Sequence, residues 1–355
     1  MKELSPGREV FWRCGDDDAA MSEIREIQEI PGPAAAISNG PAANDGVEEC
    51  WMDFEGARMR YLRKGSGPAL ILLHGLMGYS FSWRFTMPAL APHATVYAPD
   101  LLGAGFSDRP RDIDHSMRGT ALRVLSFAER LGISSFDLLG TSRGGAVAMA
   151  AAAECVNATG SHPRLRRLVL VCPVNPYSSH GKWIAPSLGT RLGAGLFRAG
   201  LGISRSSLLF PYFHGRLYAD RNRIPPGTLE GYTAPLAIPG LFEHGLSIVR
   251  TWTADLRELE SLLSQLAEIP TLLMWGSKDS AVYVSSMQVL ARHFNDVQTI
   301  VFPGIGHLPY EECAEEFNRV LIEFLTDRSP TKQESKSPPS FRQEREKKDG
   351  ATAAP

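Results

Sequence analysis

The chain has 355 residues, of which 43% are hydrophobic and 21% charged, and a formal net charge of −2. That composition belongs to a folded globular chain with room for one large α/β domain and an insertion, and its near-neutral balance offers no electrostatic footprint for nucleic acid. Cys14, Cys50, Cys155, Cys172 and Cys313 show no C-x-x-C spacing, so they read as reduced thiols of a cytoplasmic protein, not as a disulfide framework or a zinc site.

Residues 1–45 lack periodicity and carry Pro31, Pro33 and Pro41 with Gly32 and Gly40, which predicts a disordered leader. Asp16, Asp17 and Asp18 stand where a secretory signal would be apolar. Met21 is a second candidate start. No run approaches the roughly 18 consecutive apolar residues of a membrane span. From Cys50 to Arg63 two short runs flank Glu55-Gly56, the pattern of a β-hairpin. Ala69–Leu73 is a continuous apolar run, the mark of a strand buried on both faces of a parallel sheet. Ala94–Ala98, Phe136–Leu139, Leu168–Cys172, Ile269–Gly276 and Thr299–Gly304 are further strands. Helices are expected over Met117–Leu131, around Met287, Leu290, Ala291 and Phe294, and around Phe317, Val320, Leu321 and Phe324, where apolar residues recur at helical spacing. Strands alternating with helices predict an α/β core with a mainly parallel sheet over 46–175 and 266–327. The alternation breaks over 176–265. A structureless loop of that length inside a domain is improbable, so a helical cap is expected there. Residues 328–355 are rich in Lys, Glu, Ser and Pro and read as a disordered tail.

The chemistry centres on Gly140-Thr141-Ser142-Arg143-Gly144, which follows a strand and precedes the small residues Ala146, Val147, Ala148 and Ala150. Strand, sharp turn and helix with a serine at the apex is a nucleophile elbow. Glycines on either side remove side chains that would collide with the strand and helix. A serine hydroxyl needs a base, and the base needs an orienting group. Asp279 follows the strand ending at Gly276, and His307 follows the strand ending near Gly304. In a parallel sheet both emerge at the edge where Ser142 stands. Asp255 and Glu258, in the insertion, are weaker rivals for the acid. Two backbone N–H groups, of Arg143 and of Leu76 after the strand ending at Leu73, are expected to hold a developing oxyanion, at about 3–4 kcal/mol each. The Arg143 side chain is read as entering the seam between helix and cap, an acidic substrate group being its other possible contact.

The cap is rich in aromatic residues, and Trp183, Phe213 and Tyr232, with Leu308 beside the histidine, are the candidates for lining an apolar substrate pocket. Arg191, Arg198 and Arg205 recur every seven residues. Four glycines among them weaken a helix by about 1 kcal/mol each, so a solvated face is expected instead of a membrane surface, and no stable membrane insertion.

The motifs Leu73-His74-Gly75-Leu76-Met77-Gly78, Asp100-Leu101-Leu102-Gly103-Ala104-Gly105-Phe106-Ser107-Asp108, Gly140–Gly145, Trp275-Gly276-Ser277-Lys278-Asp279 and Gly304-Ile305-Gly306-His307-Leu308-Pro309-Tyr310-Glu311-Glu312 together resemble the α/β-hydrolase superfamily, in its abhydrolase-1 form with a cap. The resemblance implies an eight-stranded, mostly parallel sheet, triad roles for Ser142, Asp279 and His307, an oxyanion hole from Leu76 and Arg143, and no cofactor or metal. It leaves the substrate open. Haloalkane dehalogenases and epoxide hydrolases of this fold carry an aspartate nucleophile, usually followed by tryptophan, so Ser142-Arg143 argues against both. Meta-cleavage C–C hydrolases use serine but often place tryptophan after the catalytic histidine, where Leu308 stands here. Proline iminopeptidases have tryptophan after the serine, also absent. The expected activity is cleavage of a carboxylic ester of an apolar small molecule. C–C hydrolysis by the same residues and a catalytically silent ligand-binding protein are the alternatives.

Overall fold

The computed structural model describes residues 8–11, 46–54, 56–158, 162–178 and 214–327. Its strands are β1 (Arg8–Phe11), β2 (Glu48–Phe54), β3 (Ala57–Lys64), β4 (Ala69–Leu73), β5 (Thr95–Pro99), β6 (Ser135–Thr141), β7 (Arg164–Val171), β8 (Thr271–Gly276) and β9 (Val297–Phe302). They form one sheet in the order β1-β9-β8-β7-β6-β4-β5-β3-β2. The hairpin β2–β3 is antiparallel and joins β5 antiparallel, while every pairing from β5 through β4, β6, β7, β8 and β9 to β1 is parallel. Eight strands were expected, and β2 to β9 supply them. The ninth, β1, is a correction to the reading of residues 1–45 as wholly disordered: Arg8–Phe11 adds to the free edge of β9, Arg8 opposite Gln298 through Phe11 opposite Val301. An edge strand of four residues is held by its backbone and is too short to show alternation in the sequence.

The helices are α1 (Thr86–Leu90), α2 (Met117–Arg130), α3 (Arg143–Asn157), α4 (Thr228–Thr233), α5 (Leu241–Leu262), α6 (Ser285–Ala291), α7 (Pro309–Glu312) and α8 (Ala314–Thr326). The Ser116 side chain caps α2 by accepting from the Gly119 amide at 2.9 Å. In α3, Arg143 through Ala153 are all buried. A run of alanines has the slim profile that a helix pressed against β6 and β7 requires. Leu70–Leu73, Leu138, Leu139, Leu168–Val171 and Leu272–Trp275 are fully buried and form the centre of the core. Within the segment 176–265 expected to form a cap, the described residues from 214 onward hold α4, α5 and short 3₁₀ turns, α5 running Leu241–Leu262. Trp183, Phe213 and the Arg191–Arg198–Arg205 series lie outside the described residues, as do 12–45 and the tail 328–355. No described helix is long and apolar enough to cross a membrane. Cys50, Cys155, Cys172 and Cys313 are free thiols.

Candidate active site

Parallel strands deliver their C-terminal ends to one edge of the sheet, and the loops after β4, β6, β7, β8 and β9 meet there. Only three described residues other than glycine have positive φ. They are Met77 (62°), Ser142 (51°) and Cys172 (44°), and they follow the neighbouring strands β4, β6 and β7. Such backbone costs about 1–3 kcal/mol per residue and persists only where the surroundings enforce it. Here it gathers around Ser142, the apex between β6 and α3. A Cβ on Gly144 would lie 2.4 Å from the His74 carbonyl oxygen and 2.5 Å from that of Leu73. The bare glycine therefore lets the start of α3 touch the loop after β4.

His307 and Asp279 meet as the strand order predicts. Nδ1 of His307 is 2.8 Å from Oδ2 of Asp279, and both side chains are almost wholly buried. The other carboxylate oxygen accepts from the amides of Ala281 at 2.8 Å and Val282 at 2.9 Å. The acid is thereby fixed in orientation, and an imidazole that gives its Nδ1 hydrogen to a carboxylate presents a bare Nε2. The two loops approach because a Cβ on Gly276 would lie 2.0 Å from the Gly306 carbonyl oxygen. The main chain of His307 donates to the Leu217 carbonyl at 2.7 Å, so a residue of the insertion holds the base.

The loop after β4 is shaped by His74. Its Nδ1 donates to the Gly75 carbonyl at 2.8 Å, and its Nε2 accepts from the Leu101 amide at 3.1 Å. That pairing defines a neutral ring, and burial pushes its pKa down. Among the described residues, the amides of Leu76 and of Arg143, the first residue of α3, make no hydrogen bond, as a helix N-terminus leaves its first donors. The Gly-rich turn after β5 is tied by Asp100, which accepts from the Ser80 amide (2.8 Å), the Phe106 amide (3.0 Å) and the Arg60 guanidinium (3.1 Å).

Of the residues expected to line a pocket, Tyr232 is 4% exposed; its hydroxyl donates to Glu311 and lies 2.9 Å from Ser82 Oγ. Its ring packs across those of Phe81 and His214. Leu308, 5% exposed, packs in the hydrophobic core. The rival acids stand elsewhere, on α5: Asp255 accepts from Thr251 Oγ1 at 2.8 Å, and Glu258 lies 3.9 Å from Arg118.

Cys172 reads in the sequence only as the end of a strand. Its thiol belongs with Asp279 and His307 to a set whose potential ligand atoms all lie within 4.8 Å of one another. Burial, then the Asp279 charge, pushes the thiol well above its ordinary pKa. It is a protonated donor beside a carboxylate already bonded to His307, which makes the set a hydrogen-bonded chain and a poor cation site. The only sequence signal was its position directly after a buried strand. The adjacent Glu311 and Glu312 were also missed. Glu311 accepts from Arg84 at 2.7 Å and from the Tyr218 hydroxyl at 2.5 Å. Glu312 accepts from the amides of Gly306 (2.8 Å), Ala219 (3.1 Å) and Asp220 (3.2 Å).

A family model described as the alpha/beta hydrolase fold matches residues 68–314. The chain belongs to that family. It is 26% identical over 289 residues to haloalkane dehalogenase 2 of Mycobacterium tuberculosis (strain ATCC 25618 / H37Rv), covering 78% of this chain and 94% of that protein. It is 28% identical over 282 residues to 2-hydroxymuconate semialdehyde hydrolase of Pseudomonas sp. (strain CF600), covering 77% and 92%. Among solved structures, Cfl2 from Burkholderia cenocepacia superposes with a TM-score of 0.68 at 23% identity, over 79% of this chain and 96% of that one, a likeness of fold.

Proposed function

We propose that this α/β hydrolase cleaves a carboxylic ester of a largely apolar small molecule through an acyl-serine intermediate. The observation that carries the reading is the buried 2.8 Å contact between His307 Nδ1 and Asp279 Oδ2, at the sheet edge where Ser142 stands on strained backbone. In this reading His307 Nε2 takes the Ser142 proton as Oγ attacks the ester carbonyl. The amides of Leu76 and Arg143 receive the oxyanion, and Asp279 stabilises the imidazolium. The imidazolium returns its proton to the departing alkoxide. Water, deprotonated by the same imidazole, then releases the acid. The sequence of steps balances with water alone and calls for no cofactor.

The similarity to a haloalkane dehalogenase does not carry over as an activity. A carboxylate that displaces a halide forms an ester that water can open, whereas Ser142 would form an ether with no ready hydrolysis. The relative named 2-hydroxymuconate semialdehyde hydrolase supports a second reading, C–C bond hydrolysis by the same three residues. One experiment separates them: turnover of p-nitrophenyl esters from acetate to decanoate by the wild type and by Ser142→Ala. Ester turnover that falls by several orders of magnitude in the variant supports the proposal. A wild type inert on every ester but active on a coloured dienol product of ring cleavage favours the second reading.

A further inference from the structure

A small cavity lies beside the candidate oxyanion loop. Gly75, Leu76 and Arg143 form one wall, Leu101, Leu102 and Arg109 another, and Leu236, His244 and Ile248 of the insertion close it. Its volume is about 20 Å³, the scale of one small polar group and too little for a ring. Apolar side chains make up most of the lining, yet two guanidiniums stand in it.

Among the described residues, neither guanidinium has a partner for every buried donor. Arg143 is 5% exposed; its Nη2 donates to the His115 carbonyl at 2.7 Å and lies 3.4 Å from Thr120 Oγ1, while its buried Nε has no partner. Arg109 uses Nη2 on the carbonyls of Gly105 at 2.9 Å and Pro235 at 3.1 Å, and its buried Nε and Nη1 have none. Asp255 acts on Arg143 and Asp100 on Arg109 through charge, but neither carboxylate is hydrogen-bonded to them: Asp100 is bonded to Arg60 and backbone amides and Asp255 to Thr251. Burial pushes the Arg143 pKa down to about 10, so it remains a cation at neutral pH. His244, partly buried and held below the ordinary histidine pKa, adds a ring whose Nδ1 lies 3.2 Å from that of His115. Buried donors without partners in a native fold call for an explanation, and a bound acceptor is one. Guanidiniums bind carboxylates more strongly than any neutral acceptor.

We propose that this cavity is a carboxylate subsite, and that the preferred substrate is an ester whose short apolar acyl chain ends in a carboxylate held between Arg109 and Arg143. The inference rests on the ester reading of Ser142 and refines it. The monoester of a dicarboxylic acid is the substrate class that joins the two, its neutral carbonyl at the serine and its free acid in the cavity.

The test compares mono-p-nitrophenyl glutarate with p-nitrophenyl valerate for the wild type, Arg109→Met and Arg109→Lys. The wild type is expected to prefer the anionic ester in kcat/KM. Arg109→Met should lower the ratio of the two values at least thirtyfold, and Arg109→Lys should restore part of it. A merely structural Arg109 would lower both values together and leave the ratio fixed, which overturns the proposal. The second arm needs no turnover: the melting temperature of Ser142→Ala with glutarate, alone and combined with Arg109→Met. A rise abolished by Arg109→Met upholds the subsite even if no ester is cleaved, in which case only the ester reading fails. No rise with glutarate overturns the subsite whatever the esters do.

Discussion

Replacing Asp279 with asparagine isolates the step on which the proposed chemistry depends. The carboxylate uses one oxygen on the Ala281 and Val282 amides, at 2.8 and 2.9 Å, and the other on His307 at 2.8 Å. An amide placed there keeps its carbonyl oxygen on the two backbone donors, because its NH₂ cannot accept from them. The NH₂ is then turned toward His307 Nδ1. Nδ1 becomes the acceptor, the ring hydrogen moves to Nε2, and the nitrogen that should take the Ser142 proton is already protonated. The same exchange in a Ser-His-Asp site costs about 10⁴-fold in kcat, or about 5 kcal/mol of barrier. Volume and the backbone bonds are retained, so folding stability should change by no more than about 1 kcal/mol.

The assay is kcat on p-nitrophenyl butyrate beside a thermal melt of the same preparations. A loss near 10⁴-fold with an unchanged melt is expected. A loss of less than tenfold in a folded variant would refute the reasoning, since no other carboxylate among the described residues is bonded to His307. Asp255 and Glu258, on α5, would gain no claim from that result, because their partners are Thr251 and Arg118.

The other expectations are shorter. Gly144→Ala puts a Cβ within 2.5 Å of two backbone oxygens; soluble protein with wild-type esterase activity would contradict the close approach of α3 to the loop after β4. Glu311→Ala removes the acceptor of Arg84, Tyr218 and Tyr232 and leaves the partly buried Arg84 without its carboxylate, which should cost about 3 kcal/mol in urea unfolding; a loss under 1 kcal/mol would show the network to be weak. His74, His115, His214 and His244 are held below the ordinary histidine pKa, chiefly by burial. Their unfolded forms take up protons below about pH 6.5 that the folded forms refuse. Stability is therefore full above that pH and falls as pH drops through it. The melting temperature should decline from pH 7 to 5, with a shallower slope in His244→Gln; identical slopes would remove His244 from the account.

The core was legible because its signals are local. Ala69–Leu73 is a run that only a doubly covered strand tolerates, and the strand has those bounds. Gly140 to Ala150 announces a tight turn and a helix without bulk, and both are present. Asp279 and His307 could be paired on chain order alone, since parallel strands fix the edge from which their loops emerge. What escaped depends on long-range partners. Nothing local to Tyr232 announces that its hydroxyl meets Glu311, 79 residues away. Arg109 looks like the solvated end of a turn, and its burial follows from the insertion folding over it. Cys172 looked like the last residue of a strand; its positive φ and its thiol beside Asp279 arise only when β7 and β8 lie side by side.

The same contrast bears on how the insertion takes part in the chemistry. Glu311 and Glu312 are consecutive, and both side chains are wholly removed from solvent. Burying two adjacent carboxylates is unfavourable unless each is matched by donors, and their donors come from opposite directions. Glu312 takes the Gly306 amide, next to His307, together with the Ala219 and Asp220 amides from the insertion. Glu311 takes Arg84 from the core and Tyr218 and Tyr232 from the insertion. The loop that carries the proposed base is thus fastened to the segment 217–220 by Glu312 and by the His307–Leu217 backbone bond. The backbone beside the proposed base and the segment 217–220 are held to one another by charge-assisted hydrogen bonds to a buried carboxylate.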